Sequence, residues 1–345
     1  VTSAAYDPAG VSAGGTYYLR VRARDGAGND ADEWATIFTF IYDGSGTDAP
    51  IVSDDGAFTG ATTKLNGSWV SIDPDSEIVE YQYAVGTSAG STDVVGWTSA
   101  GTSVEATIDI PAPGMSQGPA YYISVKAKSE AGDWSDAGTS DGIQVAPPVQ
   151  TIAEAKALAD GEPVALRNKV VTADVGGAYY IEETDWSSGI LVMGAGAPPG
   201  TLVTVGGVMG LNEHNERAIT GAATVVEAAS DPLIIPSALR MSGKNLGGED
   251  FNAFTFGATG GVGLNNVGLL CCMTGVLTSV GEGELWLSDG STAQPVKVAA
   301  YLTDISGLQV GDLVIVTGIS TLEMDGGVLS PALRVTDPSG ITKLN

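Results

Sequence analysis

The sequence predicts an all-β, multidomain chain, and three observations carry that prediction. Runs in which apolar and polar residues alternate, such as residues 17–24, describe strands buried on one face only. Glycine is 48 of 345 residues yet follows no three-residue period, which calls for many tight turns and rules out a collagen helix. The chain also repeats itself, twice, at spacings near one domain length. At roughly 100 to 150 residues per domain, a chain of this length forms two to four compact units.

Residues 17–29 (YYLRVRARDGAGN) recur as residues 121–133 (YYISVKAKSEAGD) at a constant offset of 104. In each copy an alternating strand runs into an Ala-Gly-Asn or Ala-Gly-Asp turn, followed by Trp34 or Trp134, which describes a late hairpin of a β-sandwich. Between them lie Ala49-Pro50, Trp69, the SEIVEYQYAVGT run from Ser76, and Trp97, with SDGIQV closing the segment. On these residues the chain resembles the fibronectin type III and related immunoglobulin-like (Ig/FnIII-like) modules of secreted prokaryotic proteins. The resemblance covers a whole module over 49–147 and only the C-terminal strands of another, a partial module, over 1–48. A lone hairpin of that size buries too little to be stable in water. Either strands from another chain complete it, or Val1, which begins in mid-pattern without a signal peptide, is the cut end of a longer protein.

Pro147-Pro148 ends the sandwich, and Thr151 with Glu154 forms a capping box for a short helix. Two further segments then mirror each other, with Tyr180, Glu182 and Gly200 answered by Trp286, Ser288 and Gly311. Each runs as five strands, the fourth entered through its glycine turn. This strand order and glycine placement resemble two small Greek-key barrels of the OB-fold kind, OB-like, over 151–229 and 266–345. Residues 230–265, rich in Gly, Asn and Pro, form a connector; so long a loop is expected to add in part to one barrel. The expected fold is therefore Ig/FnIII-like β-sandwiches followed by two OB-like barrels.

Composition removes several function classes. Lys and Arg number 15 against 41 Asp and Glu, for a net charge of −26, a field that repels nucleic acid and anionic membranes. Charged residues are only 16% and apolar ones 43%, so the chain folds and shows a surface of neutral polar groups. No apolar run is long enough for a membrane-spanning helix. With one histidine, His214, on a polar loop and two adjacent cysteines, Cys/His zinc sites, histidine triads and dithiol pairs lack their parts. Strand alternation sends Cys271 and Cys272 to opposite faces as small apolar fillers; a vicinal disulfide or metal ligation is the alternative.

Four candidate sites remain. Asp25, Asn29, Asp30, Asp32 and Glu33 crowd oxygen ligands into one turn, a pattern suited to calcium, although Asp and Asn favour turns for their own backbone reasons. Asp73, Asp75 and Glu77 are a weaker version of the same pattern. Tyr179, Tyr180 and Trp186 beside Glu182, Glu183 and Asp185 suggest a sugar-stacking platform, with the acids read as a structural turn. Asn66-Gly-Ser68 is a glycosylation sequon or a plain turn. With no convergent catalytic set, the expected function is non-catalytic and extracellular or cell-surface: a structural or adhesive protein, its partners other copies of itself or neighbouring surface proteins. A filament joined by strand complementation at residues 1–48 is the sharper form. The alternative is a polysaccharide-binding accessory region of a secreted polysaccharide-degrading enzyme.

Overall fold

A computed structural model describes residues 11–281, 284–300, 305–337 and 339–344. It is almost entirely β. The strands are β1 (Gly15–Val21), β2 (Ala35–Tyr42), β3 (Ile51–Asp54), β4 (Phe58–Thr59), β5 (Lys64–Val70), β6 (Ile78–Gly86), β7 (Val95–Gly101), β8 (Glu105–Asp109), β9 (Ala120–Ser129), β10 (Gly138–Thr139) and β11 (Ile143–Val145). After the helix α1 (Ile152–Lys156) come β12 (Pro163–Asp174), β13 (Ala178–Glu182), β14 (Gly189–Met193), β15 (Leu202–Leu211), β16 (Arg217–Ala228), β17 (Leu239–Arg240), β18 (Leu270–Val280), β19 (Glu284–Ser288), β20 (Val296–Ala300), β21 (Leu313–Asp325), β22 (Val328–Val335) and β23 (Ile341–Lys343). They fall into two compact units. One gathers the described residues up to Asp54 with Leu65–Pro113 and Ala120–Gly142; the other gathers Asp55–Lys64, Gly114–Pro119 and the described residues from Ile143 onward.

The first unit holds a two-sheet sandwich, β3-β5-β8 against β7-β6-β9-β10. Alternation along β5 and β9 turns Leu65, Trp69, Tyr121, Ile123, Val125 and Ala127 inward, where all are buried with Ile108 of β8. The Trp69 ring packs 6.1 Å from Tyr81 and donates its Nε1–H to the Ser103 carbonyl at 3.0 Å. Gly67 lets the sheets approach closely, since a Cβ there would sit 2.7 Å from Cδ1 of Ile123. β1 and β2 form a separate antiparallel hairpin.

The sequence repeat is reproduced bond for bond. The Asp25 amide donates to the Asn29 carbonyl at 2.9 Å, as Ser129 does to Asp133 at 3.0 Å. Gly28 donates to Asp25 at 3.1 Å and Gly132 to Ser129 at 3.0 Å, while Ala31 to Ala23 and Ser135 to Ala127 are both 2.8 Å. Gly28 and Gly132 supply the positive φ, 91° and 106°, that this turn requires. A cation over an indole recurs too: Arg22 lies 4.9 Å from the Trp34 ring and Lys126 lies 4.5 Å from that of Trp134.

The second unit contains two closed five-stranded barrels. In the first the strands run β14-β13-β12-β15-β16, and parallel pairing of β14 with β16 closes the ring. The second repeats this order as β20-β19-β18-β21-β22, closed by β20 on β22. Both are OB-like in strand order. A bulge interrupts β12 between Val171 and Ala173 and β18 between Leu277 and Ser279, 106 residues apart in each case. The turn glycines serve those bulges: the Gly200 amide donates to Val171 and the Gly311 amide to Leu277, both at 2.8 Å. The capping box forms as the sequence predicts, over a helix of five residues whose Ile152 and Ala155 plug the first barrel's core. Cys271 points into the second core and Cys272 away from it; neither is in a disulfide. Part of the connector joins the second barrel, as β17 pairs with Cys271 and Cys272 and Leu246 enters its core.

Candidate functional site

The most unusual surface is the β1–β2 hairpin. Its register sets Tyr17 opposite Phe40 and Leu19 opposite Phe38, so that these four side chains share one face. Tyr17 and Phe40 stack at 5.6 Å, and Phe40 and Phe38 at 6.0 Å. Leu19 and Phe38 are 39% and 59% exposed, whereas Ile123, which occupies the place of Leu19 in the second copy, is fully buried beneath β3-β5-β8. Among the described residues no second sheet covers the hairpin face.

The turn rich in oxygen ligands does not gather them. Asp25 accepts from the amides of Ala27 and Asn29 and from the Asn29 side chain at 2.9 to 3.0 Å, which holds its carboxyl below the usual range. Asp30 is spent on Arg22 and Arg24 at 2.5 and 2.7 Å. Asp32 and Glu33 lie exposed on the same turn. Asp73 accepts from Thr47 and Asp75 from Ser45, both at 2.8 Å, so this second acidic turn anchors the segment after the hairpin. Glu77 sits beside it and its carbonyl accepts from the Glu130 amide at 2.8 Å. Among the described residues no three or more His, Cys, Asp or Glu side chains converge as a metal site. Asn66 lies inside β5 rather than on a turn, and its Oδ1 accepts from Thr107 at 2.9 Å.

The proposed stacking platform is corrected by burial. Tyr179 and Tyr180 are fully buried on opposite faces of β13, and neither ring has a face open to a sugar. Tyr179 lies in the first barrel's core with its hydroxyl 2.6 Å from Thr224 Oγ1; burial keeps the phenol far above its usual range. Of the three, only Trp186 is exposed, with its Nε1–H donating to the Ser237 carbonyl at 2.8 Å. The adjoining acids have structural partners. Glu183 accepts from the Ile152 amide and from Lys169, both at 2.8 Å, and Asp185 accepts from the Ser187 amide at 3.0 Å.

Tyr180 instead enters a buried junction between the two barrels, packed with Leu191, Ala218 and Ile319. There its hydroxyl donates to Glu216 and accepts from Arg334, each at 3.2 Å, and Thr321 donates to Glu216 at 2.7 Å. Glu182 accepts from the Leu270 amide at 2.6 Å, and the Lys156 ammonium donates to the Val267 carbonyl at 2.8 Å. Burial pushes the Glu182 carboxyl up to about 7 and also raises that of Glu216; it pulls the Lys156 ammonium down to about 8. No local pattern marks these residues, because partners such as Glu216 and Thr321 stand 105 positions apart. Glu182 shares the face of Tyr180, opposite Tyr179 and Ile181, so alternation assigns it to the outside of the first barrel and gives no sign of its burial.

The chain matches no family model and no curated protein. Among the described residues no helix is long and apolar enough to cross a membrane.

Proposed function

We propose that this chain is a non-catalytic, extracellular or cell-surface modular protein with a structural or adhesive role, and that a neighbouring copy completes its β1–β2 hairpin. The finer assignment of the sandwich and hairpin to Ig/FnIII-like modules, and of the barrels to the OB-fold, belongs to this reading. One observation carries it: among the described residues a face bearing exposed Leu19 and Phe38 beside half-buried Phe40 lies open where the equivalent face of the second copy is covered. Contiguous exposed aromatic and aliphatic side chains mark interaction surfaces. The two edges of a two-stranded ribbon offer unpaired backbone groups for strand addition. The bond-for-bond recurrence of the hairpin turn supports a common module, and a common module carries a common need for a second sheet.

Light scattering and negative-stain microscopy of the chain over a concentration series test this reading. Oligomers or regular polymers are expected, and Phe38→Asp, which places a charge on the open face, is expected to abolish them. A chain that stays monomeric at every concentration, or whose assembly ignores Phe38→Asp, sinks the proposal.

A further inference from the structure

A cleft of about 440 Å³ opens beside the barrel junction, within the range of small-molecule sites. Its rim is made by two loops of the first barrel, 175–177 between β12 and β13 and 212–216 between β15 and β16. Leu191 and Met193 of β14 supply an apolar floor, and Arg334 of β22 reaches in from the second barrel. Neither barrel alone builds the site.

The polar groups are held in place before any ligand arrives. Asn212 Oδ1 accepts from the amides of His214 and Glu216, both at 2.9 Å, which fixes the loop that presents Glu213 and His214. Arg334 is nine-tenths buried and donates to the Tyr180 hydroxyl at 3.2 Å. His214 sits between carboxylates, its Nε2 3.7 Å from Glu213 and its Nδ1 3.9 Å from Glu323. The lining thus offers the Glu213 carboxylate as acceptor, the Arg334 guanidinium as donor and an imidazole as either, above an apolar floor.

Among the lining residues Glu213 and Arg334 carry opposite charges, and Glu323 behind His214 lies 3.8 Å from Lys297, so no single sign dominates the cleft. A free anion meets Glu213 and Glu323, and a cation meets Arg334. Among the lining residues a flat base finds no Phe, Tyr or Trp ring to stack on, and the His214 imidazole is flanked by the Glu213 and Glu323 carboxylates. Hydroxyl groups that both donate and accept, set around a ring with an apolar C–H face, match all of these features. We propose that the cleft binds a neutral hexose, free or at the end of a short oligosaccharide. The hydroxyls bridge Glu213, His214 and Arg334, and the C–H face lies on Leu191 and Met193. This site is separate from the hairpin and stands or falls independently of assembly.

His214 is the only histidine in the chain, so its imidazole resonances report on this cleft alone. The intact chain is titrated with glucose, galactose, mannose and their disaccharides while those resonances are followed by NMR. A saturable shift with a Kd in the millimolar range is expected for at least one of them. Glu213→Gln, at a side chain 87% exposed, is expected to weaken it about tenfold without changing thermal unfolding. Met193→Trp is expected to fill the floor and abolish the shift. Strictly linear shifts with every neutral sugar overturn the proposal, as does saturation indifferent to both substitutions. Tighter saturable binding of glucuronate or glucosamine overturns the neutral assignment.

Discussion

Ionised groups at the barrel junction are costly to bury, and the cost depends on pH in a direction that can be worked out. Glu182 keeps its proton up to about pH 7, well above its usual 4.5. A carboxyl raised on folding contributes stability fully below its unfolded value, and this is lost as pH rises through the folded one. Lys156, lowered from 10.5 to about 8, acts in another window: its contribution is present above 10.5 and lost as pH falls through 8. Between pH 4.5 and 7 the junction is therefore governed by Glu182, with Glu216 acting in the same direction. Asp289, Asp312 and Asp337, held below the usual range by hydrogen bonds, act at lower pH. The urea midpoint of the barrel unit is expected to fall between pH 4.5 and 7, with Glu182 contributing on the order of 3 kcal/mol. Glu182→Gln keeps an acceptor for the Leu270 amide, so it is expected to raise the midpoint at pH 7.5 and flatten the slope. A midpoint that climbs across that window, or a slope the substitution leaves intact, means that the junction's charges are solvated rather than buried.

At the scale of single elements, the two barrels invite a matched experiment on the glycines that open their fourth strands. Gly200 and Gly311 both have positive φ, 84° and 96°, and both donate to the bulge of the first strand. Their surroundings differ. A Cβ on Gly200 would lie 2.6 Å from the Asp231 carbonyl oxygen, whereas one on Gly311 meets nothing within 4 Å. Gly311→Ala is expected to cost only the backbone strain, about 1 kcal/mol, and Gly200→Ala about 3 kcal/mol because a backbone carbonyl must also move. Thermal unfolding of the two variants decides it, and equal losses would mean that the close approach at Gly200 relaxes freely. These glycines were legible in the sequence, as were the capping box and the opposite facing of Cys271 and Cys272, because each depends on neighbours a few residues away. Tyr180 was misread for the complementary reason. Alternation along β13 puts it on the face opposite Tyr179, outside the first barrel's core, and residues of the second barrel, among them Ile319, Leu270 and Arg334, make that face an interior. The cleft around His214 was invisible for the same cause, since its walls come from β14, a loop near 212 and β22.

For the molecule as a whole, two opposed long-range effects set how it meets its own copies. The open hairpin face favours association through apolar burial, which is insensitive to modest salt, while a net charge of −26 makes any two copies repel. The hairpin does little to offset that repulsion, because Arg22 and Arg24 are already engaged with Asp30. Screening shortens the reach of the repulsion from about 10 Å at 0.1 M salt to about 3 Å at 1 M without weakening the apolar contact. Self-association is therefore expected to strengthen as sodium chloride rises from 0.05 to about 0.5 M, and Phe38→Asp is expected to remove it at every concentration. Sedimentation velocity over that salt series reads the outcome directly. Association that weakens with added salt would place ion pairs at the contact and move the search to the acidic surface, whereas association indifferent to salt would mean that the approaching surfaces carry little of the net charge.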